Sequence, residues 1–489
     1  MSALREIYRP SLALLTDLYQ ITMAYSYWKS GLAEREAIFN LAFRHPPFNS
    51  GYTLACGLGT VIEYLQDFHF DEDDVTYLGT LNGNDGAPLF SQDFLEYLLA
   101  LRFSCSVKGV PEGAAVFPQE PLLRIQGPIL QGQLLETALL TIVGFQSLVA
   151  TKAARVCHAA QGDPVLEFGL RRAQGIDGGL AASRAAYIGG CFATSNVLAG
   201  RIYGIPVRGT HAHSWVMLFP DELQAFETYA EVMPNNCVFL VDTYDTLGGV
   251  RNAIAAGQRL REKGYQFAGI RLDSGDLAYL SIEARKLLDE AGFQDTRIIA
   301  SNDLDEHIIS SLKDQGATIA VWGVGTKLIT AYDQPALGAV YKLAAVRDDA
   351  GEWVNKVKLS EQAAKNSIPG ILNVRRFRRG DTYLGDCIYD ERNGIAEPTT
   401  LVDPMNPFRT KTIAPDAKSF DLLLPIFEQG HLVYEPPSIH EIRQHAFDDL
   451  RRFHPSIRRF IYPHEYPSGL DSGLHEARQA EMIRMKRGK

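Results

Sequence analysis

The 489-residue sequence lacks the features that mark a secreted, membrane-spanning or nucleic-acid-binding chain. Its first residues, MSALREIYRPSLALLTD, contain no uninterrupted apolar core, so we expect no signal peptide. No 18-residue apolar stretch is evident, so we expect no membrane span. Acidic residues outnumber basic ones, 58 to 48, for a formal net charge of −10. Because nucleic acids and anionic lipids attract positive charge, we expect neither as a partner. We also expect a cytoplasmic protein.

Cysteines are few and widely spaced. No C-x-x-C pair occurs, so a zinc site is not indicated, and the density is too low for a disulfide framework. Internal repeats and low-complexity segments are also missing. We expect reduced thiols at the six positions, which are Cys56, Cys105, Cys157, Cys191, Cys237 and Cys387.

The length predicts two or three domains rather than one, and the 46% share of hydrophobic residues is ample for buried cores. We place an N-terminal α+β domain at residues 1–135 and a β/α-barrel catalytic domain at 136–345. A strand-rich segment with a helical tail, packing on the N-terminal domain, follows at 346–489. The predicted fold class is therefore α/β.

In the N-terminal region, Leu15–Trp28 has the pattern of a helix with Thr16 as N-cap. Ala37–Phe43 and Ala114–Ile125 are rich in β-formers and are predicted as strands. In the C-terminal region, strands are predicted at Leu337–Val346, Trp353–Leu359 and between Ile413 and Tyr434, with a hairpin turn at Gln429-Gly430. The tail ends in the basic run Lys486–Lys489, which we interpret as a solvated helix end.

The middle of the chain alternates short apolar runs with helical stretches, the pattern of βα units with parallel strands. The predicted helices are Gly179–Gly200, Gly248–Lys263, Asp276–Ala291 and Asp303–Asp314. The predicted strands are Pro164–Phe168, Ile205–Val207, Val238–Val241, Phe267–Leu272, Arg297–Ala300 and Ile319–Trp322.

Each of these six strands ends in a polar, charged or glycine-rich cluster. In a parallel barrel all such ends meet at one face, where barrel enzymes carry their active sites. Solvent exposure alone also makes loops polar, but the clusters exceed that requirement. They are Glu167-Phe168-Gly169 with Arg171, Gly209–His213, Asp242–Asp245, Arg271–Asp276, Ser301-Asn302-Asp303 and Gly323–Lys327.

Gly323-Val324-Gly325-Thr326 follows a strand and can cradle a phosphate with backbone N–H groups and the Thr326 hydroxyl. The Walker A spacing is missing, and a G-x-G turn alone often only closes a loop. Together with Ser301 and Asn302 on the preceding strand end, the turn forms a candidate phosphate pocket.

Arg271 is followed closely by two carboxylates, Asp273 and Asp276. The carboxylates can bind ribose hydroxyls or a magnesium ion, and the guanidinium suits a carboxylate or phosphate. A purely structural Arg–Asp pair is the alternative.

His211 and His213 lie two residues apart. They could share a metal, although no third ligand is evident from spacing. The alternative is a nucleophilic or acid–base imidazole, which needs a partner to fix its tautomer. Asp242, at the end of the next strand, is placed to be that partner. Phe168, beside Arg171, is placed to stack on a flat ring.

Taken together, these clusters resemble the nicotinate phosphoribosyltransferase family. The resemblance covers nearly the whole chain in order. The residues that carry it are Leu14–Met23, Glu167–Gly175, Thr194-Ser195-Asn196, Gly209–Ser214, Asp242–Asp245, Arg271–Asp276, Gly323–Thr326 and Leu424–Gly430.

The resemblance implies the irregular β/α barrel of the type II phosphoribosyltransferases and a homodimer with active sites near its interface. It implies that nicotinate and 5-phosphoribosyl 1-diphosphate give nicotinate mononucleotide and diphosphate in NAD salvage. The reaction would be coupled to ATP hydrolysis through a phosphohistidine and would use Mg²⁺. The metal ligands are left open.

The resemblance also implies a role for each site residue. His213 would be the phosphorylated histidine, with Asp242 holding its ring. Nicotinate would be bound by Tyr19 of the neighbouring subunit, Phe168, Arg171, Thr210 and Arg271, although composition alone would make Tyr19 a packed helix aromatic. The phosphoribosyl end would be bound by Asp273, Ser274, Ser301, Asn302, Gly323, Gly325 and Thr326.

Two other transferases remain open as alternatives, specific for nicotinamide or quinolinate. The long C-terminal part and the His213 motif speak against quinolinate. A third alternative is a non-catalytic nucleotide-binding protein. One residue departs from the family pattern: His211 stands where a non-ionisable residue is frequent.

Overall fold

The computed structural model describes residues 11–360 and 366–487. The first ten residues and the last two, Gly488 and Lys489 of the basic tail, lie outside the described residues. The chain divides into two compact units. Unit 1 contains residues 1–148, 336–438 and 445–489, and unit 2 contains 149–335 and 439–444. The unit boundaries fall near 148 and 335, whereas the sequence placed domain boundaries at 135 and 345.

The β-strands, numbered in chain order, are β1 Glu36–Phe43, β2 Thr53–Leu54, β3 Ser106–Gly109, β4 Ala115–Val116, β5 Leu123–Pro128, β6 Val165–Glu167, β7 Ala193–Thr194, β8 Val238–Leu240, β9 Gly269–Leu272, β10 Arg297–Ala300, β11 Val321–Val324, β12 Ala339–Arg347, β13 Trp353–Asn355, β14 Leu372–Arg379, β15 Thr382–Asp390, β16 Thr400–Val402, β17 Thr410–Thr412, β18 Lys418–Asp421, β19 Leu424–Glu428, β20 His431–Leu432 and β21 Ser468–Asp471.

The α-helices are Leu18–Lys29, Leu58–Gln66, Glu72–Gly79, Gln92–Ala100, Ile129–Leu134, Glu136–Ala159, Ile176–Ile188, Val197–Tyr203, His213–Met217, Glu222–Val232, Thr246–Glu262, Leu277–Glu290, Glu306–Asp314, Thr326–Ile329, Ile439–Arg451 and Ser472–Arg487.

Unit 1 is built on two large sheets. The first has the strand order β13-β12-β1-β5-β3-β19-β20, and the second has the order β17-β16-β21-β15-β14-β18. Alternating apolar residues of the first sheet enter the core, where the rings of Phe39 and Tyr341 stack with centroids 5.0 Å apart. Residues before 148 and after 336 share this core, because β12 pairs with β1 and β19 pairs with β3.

Unit 2 is built on a six-stranded parallel sheet with the order β7-β6-β11-β10-β9-β8. Helices follow most of its strands, and several begin at an aspartate. The side chains of Asp245, Asp276 and Asp305 each accept a backbone N–H of the first helical turn. Such caps satisfy N–H groups that have no partner within the helix. Asp276, which the sequence offered as a ribose or magnesium ligand, is thus an N-cap.

Five of the six strands predicted for the middle of the chain are confirmed, with ends that differ by at most two residues. The sixth, Ile205–Val207, is wrong: its one backbone pairing is an isolated bridge between Val207 and Thr194. The single helix predicted over Gly179–Gly200 is also wrong. It is two helices separated by Gly189-Gly190 and the short strand β7, because Gly190 has a φ of 122° that interrupts the helix.

Two expectations for unit 1 are corrected. The first helix begins at Leu18 with Asp17, not Thr16, at the N-cap position, since Asp17 has extended dihedrals. Ala114–Ile125 is not one strand, because a turn separates β4 from β5. The hairpin at Gln429-Gly430 is confirmed: both residues have positive φ and join β19 to β20.

The mixed α/β class is confirmed, whereas a closed barrel stays a prediction. One helix, Glu136–Ala159, is long and apolar enough to cross a membrane, contrary to the expectation that no such stretch exists. Its apolar window is 72% buried inside the protein, as in a core helix. Within residues 11–360 and 366–487, no group of three or more His, Cys, Asp or Glu side chains could hold a metal ion.

Candidate active site

The carboxyl ends of four adjacent strands carry most of the predicted site residues. In the sheet, β6, β11, β10 and β9 are consecutive neighbours. Phe168 follows β6, Gly323 lies in β11, Ser301 follows β10, and Arg271 lies in β9. Because the strands are parallel, these residues come together at one edge, as the sequence pattern predicted.

Arg271 connects the strand ends through its guanidinium. Nε donates to the Ser301 hydroxyl at 2.8 Å, Nη1 donates to the Thr210 hydroxyl at 3.2 Å, and Nη2 donates to Asp273 at 3.0 Å. A guanidinium carries five N–H groups, so these contacts leave one N–H on each terminal nitrogen. Those two groups are available to donate to a carboxylate.

The ring of Phe168 lies beside this guanidinium and against Gly323. The Arg271 Cζ atom is 5.6 Å from the Phe168 ring centroid, within the range of a cation–π contact. A β-carbon on Gly323 would lie 2.7 Å from the ring. Glycine at this position therefore makes room for the aromatic side chain.

Glu167, a neighbour of Phe168, was quoted in the sequence pattern but given no role. Its side chain is 1% exposed and accepts the Thr194 hydroxyl at 2.6 Å, the Ser183 hydroxyl at 2.9 Å and the backbone N–H of Gly169. These donors fix the turn that carries Phe168. Only the type of residue, a carboxylate at the end of a buried strand, could have signalled it.

His213 is the first residue of the short helix His213–Met217. Its side chain is 40% exposed, and Nδ1 lies 3.2 Å from the Thr243 hydroxyl. Nε2 lies 4.0 Å from Asp242 Oδ1 and 3.8 Å from Asp273 Oδ2. Two carboxylates therefore face one edge of the ring, and a hydroxyl faces the other.

Asp242 is near His213 but does not hydrogen-bond to it, because 4.0 Å is too long. Its Oδ2 accepts the backbone N–H of Asp273 at 3.0 Å and the Ser274 hydroxyl at 2.6 Å. Its Oδ1 is buried and has no hydrogen-bond partner among the described residues. The contact with Nδ1 belongs to Thr243, which the sequence pattern did not single out.

His211 is buried two residues before His213. It is 8% exposed and lies among the rings of Phe226, Tyr229 and Phe239. Burial, above all, lowers its pKa to about 4, and the positive charge of Arg271 adds to the effect. His211 is therefore a neutral imidazole at physiological pH.

The predicted phosphate-binding residues lie at the ends of β10 and β11. Ser301 is 3% exposed and also donates to Asp273. Asn302 has a φ of 122°, a conformation that is rare and strained outside glycine. Gly325 precedes the short helix Thr326–Ile329.

The two remaining predicted nicotinate-binding residues, Arg171 and Tyr19, are both exposed. Arg171 is exposed in the 3₁₀ turn Leu170–Arg172. Tyr19 belongs to unit 1, in the helix Leu18–Lys29, and is 47% exposed. Its hydroxyl lies 3.1 Å from the Gln20 side-chain amide.

Profiles of one protein family match most of the chain. The N-terminal domain of nicotinate phosphoribosyltransferase (NAPRTase) matches residues 14–144, the NAPRTase family profile matches 165–378, and the C-terminal domain matches 373–478. Over 465 residues the chain is 48% identical to a nicotinate phosphoribosyltransferase of Bacillus subtilis (strain 168), covering 94% of this chain and 93% of that relative. The chain belongs to the nicotinate phosphoribosyltransferase family.

The family likeness extends to eukaryotes and to solved structures. A nicotinate phosphoribosyltransferase of Dictyostelium discoideum is 39% identical over 95% of this chain and 87% of its own length. The crystal structure of human nicotinic acid phosphoribosyltransferase matches with a TM-score of 0.82 and 33% identity, covering 95% of this chain and 99% of that one. A nicotinate-nucleotide pyrophosphorylase from Pyrococcus furiosus shares the fold, with a TM-score of 0.68 and 24% identity over 90% and 95% of the two chains.

Proposed function

We propose that this member of the family transfers the phosphoribosyl group of 5-phosphoribosyl 1-diphosphate to nicotinate, in the salvage of nicotinate to NAD. The observation that carries the proposal is the pairing of Arg271 with Phe168, a two-pronged cation beside an aromatic face. Nicotinate is a flat aromatic ring with one carboxylate, and this pair of side chains offers a partner for each part.

In the proposed complex, the pyridine ring stacks on Phe168 and its carboxylate accepts the two remaining N–H groups of Arg271. Contacts with Ser301, Thr210 and Asp273 hold the guanidinium in one orientation, so little side-chain entropy is lost on binding. Tyr19 of a neighbouring subunit in a homodimer would cover the other face of the ring, and Arg171 would approach from the turn after Phe168.

In the transfer step, the pyridine nitrogen forms a bond to C1 of the ribose as the bond from C1 to the diphosphate oxygen breaks. Positive charge develops on the ribose, and the protein contributes orientation and electrostatic stabilisation. Asp273 and Ser274 would face the ribose. Ser301 and the residues that follow β10 and β11 (Asn302, Gly323, Gly325 and Thr326) would bind its 5-phosphate.

His213 would accept the γ-phosphoryl group of ATP. If Nδ1–H donates to the Thr243 hydroxyl, Nε2 holds the lone pair. An N–P bond then forms at Nε2 as the P–O bond to ADP breaks, and water later cleaves the N–P bond to release phosphate. The phosphoryl group adds about two negative charges next to Asp242 and Asp273, and this charge would couple ATP cleavage to substrate binding.

The described side chains around His213 Nε2 do not form a complete protein-built metal site, but two of their carboxylates could bind a magnesium ion together with substrate phosphates. Asp242 Oδ1 is buried without a hydrogen-bond partner among the described residues, and Asp273 Oδ2 lies on the same side of the ring. Mg²⁺ prefers oxygen ligands and is commonly held by one or two carboxylates together with substrate phosphates. Asp242 and Asp273 would hold the ion, which would offset the negative charge of the phosphates.

A nicotinamide-specific transferase is the nearest alternative. Nicotinamide is neutral and cannot form the charge-assisted pair with Arg271, so the free N–H groups of the guanidinium favour the acid. We further propose a cytoplasmic homodimer that needs neither nucleic acid nor a membrane.

Product formation tests this proposal. The purified chain is incubated with Mg²⁺, 5-phosphoribosyl 1-diphosphate and either nicotinate or nicotinamide, and mononucleotides are separated by chromatography. We expect nicotinate mononucleotide from the acid and little or no product from the amide. Preferential conversion of nicotinamide would overturn the assignment of substrate.

A further inference from the structure

The backbone N–H of Leu240 points away from the sheet. Strand β8 is the last strand in the order and pairs with β9 alone. Leu240 is 1% exposed, so water does not satisfy an N–H group that faces the open side of the strand. A buried N–H without an acceptor costs about 1–3 kcal/mol.

The imidazole of His211 takes the place of the missing neighbouring strand. Its Nε2 lies 3.3 Å from the Leu240 nitrogen and accepts this N–H. Nε2 can accept only if it carries no proton, so the ring proton resides on Nδ1, which lies 3.3 Å from the Ala212 carbonyl oxygen. One imidazole therefore joins the segment before His213 to the strand that leads to Asp242.

We propose that His211 is a positioning residue: by accepting the Leu240 N–H, its imidazole holds the segment that begins the His213 helix against strand β8. This inference rests on the proposed role of His213 as phosphoryl acceptor. His213 and Asp242 each lie two residues beyond one end of the His211–Leu240 hydrogen bond. The bond therefore sets the distance between the phosphorylated ring and its carboxylates.

The surroundings of His211 keep it in the accepting form. The rings of Phe226, Tyr229 and Phe239 exclude water, and the positive charge of Arg271 disfavours a second proton on the ring. An ionised His211 would lose its acceptor and place a cation beside Arg271. His211 therefore acts as a neutral acceptor near neutral pH.

Two variants separate the acceptor from the ring. His211→Gln keeps an acceptor oxygen at similar reach, whereas His211→Phe keeps a ring and removes the acceptor. With radiolabelled ATP, we expect the rate of His213 phosphorylation to fall at least tenfold in His211→Phe and to stay within about threefold of wild type in His211→Gln. Nicotinate affinity without ATP should change less than threefold in both variants, because the hydrogen bonds of Arg271 to Ser301 and Asp273 do not involve His211. A uniformly damaged fold would weaken phosphorylation and nicotinate binding together.

The tautomer of His211 provides a second test that does not depend on activity. In ¹⁵N-histidine-labelled wild-type protein, the signal that disappears in His211→Gln should show a neutral ring with its proton on Nδ1 between pH 5 and pH 8. A proton on Nε2, a charged ring at pH 7, or wild-type phosphorylation in His211→Phe would overturn the proposal. If His211→Phe does not fold, the glutamine variant decides: loss of phosphorylation despite a retained acceptor would refute the role.

The two hypotheses fail in different ways. If wild-type protein incorporates no phosphoryl group, the proposed role of His213 is wrong, while the tautomer measurement still reports on the hydrogen bond to Leu240. If wild type is phosphorylated and the two His211 variants behave alike, only the positioning role is wrong.

Discussion

The ring of Phe168 packs against the α-carbon of Gly323, where a β-carbon would lie 2.7 Å from the ring. The two residues belong to the ends of neighbouring parallel strands, β6 and β11. Because the backbone N–H of Phe168 also donates to the Val324 carbonyl at 2.8 Å, the ring has little freedom to move away. The glycine in the Gly323-Val324-Gly325 turn therefore shapes the face on which a flat substrate would stack.

Gly323→Ala should displace the ring and weaken nicotinate binding. Contacts below 3.0 Å force a rearrangement, and the affinity for nicotinate should fall at least tenfold by isothermal titration calorimetry. Gly178→Ala is the matched control, since a β-carbon at Gly178 meets no atom within 4 Å. Equal affinity in the two variants would show that Phe168 does not stack on the substrate.

Arg271→Lys should reduce the preference for the acid over the amide. Lysine keeps the positive charge but loses the planar fork, so it can satisfy neither the carboxylate nor the contacts to Ser301 and Thr210 in the same way. We expect kcat/KM for nicotinate to fall about a hundredfold, from the loss of about 2–3 kcal/mol of charge-assisted hydrogen bonding. Steady-state kinetics with both substrates measure the ratio of kcat/KM for nicotinate to kcat/KM for nicotinamide. An unchanged ratio would mean that the nicotinate carboxylate does not bind Arg271.

Thr243→Val should slow the phosphorylation of His213. Valine preserves the shape of the side chain but leaves Nδ1 without the hydroxyl that lies 3.2 Å away. The ring then loses the partner that fixes its tautomer, and we expect about a tenfold slower reaction, equivalent to about 1.4 kcal/mol, the upper end of the range for one hydrogen bond. Thr243→Ser retains a hydroxyl and serves as control. Indistinguishable phosphorylation rates in the two variants would mean that a group other than the Thr243 hydroxyl fixes the tautomer of His213.

His211 should make the folded protein less stable at acid pH. Its pKa is about 4 in the fold and about 6.5 in the unfolded chain, so the unfolded state alone takes up a proton between these values. The contribution of neutral His211 to the free energy of unfolding is complete above pH 6.5 and is lost as the pH falls toward 4. At pH 5 the loss is about 2 kcal/mol.

Urea denaturation of wild type and His211→Gln at pH 7 and pH 5 measures this contribution. The wild-type free energy of unfolding should decrease more than that of the variant between the two pH values, because glutamine does not titrate. Parallel decreases would mean that His211 is not held in a neutral form.

Local patterns in the sequence predicted the strand ends of the site, because a strand and the turn that follows it depend mainly on residues that are close in the chain. A short apolar run followed by a polar turn placed Arg271, Ser301 and Gly323 at the carboxyl ends of parallel strands, and the structure brings them together. Asp276 could also have been recognised as a cap, since an aspartate directly before a helical pattern commonly accepts its first N–H groups.

Other features depend on contacts that no local pattern contains. Glu167 meets Thr194 across 27 residues, and His211 meets Leu240 across 29. Spacing identified two histidines in five residues but could not tell which is buried. The sequence also assigned the ring of His213 to Asp242, whereas the structure places the Thr243 hydroxyl closer to the ring. Asp242 Oδ2 accepts from Asp273 and Ser274, and these contacts leave Oδ1 4.0 Å from Nε2.

The most direct test of the account is the dependence of product formation on ATP and on His213. Purified wild type and His213→Ala are assayed for nicotinate mononucleotide from nicotinate, 5-phosphoribosyl 1-diphosphate and Mg²⁺, with and without ATP, while phosphate release is followed. We predict that ATP stimulates product formation by wild type with release of phosphate, and that His213→Ala neither hydrolyses ATP nor responds to it. ATP-stimulated product formation that survives in His213→Ala would contradict the account.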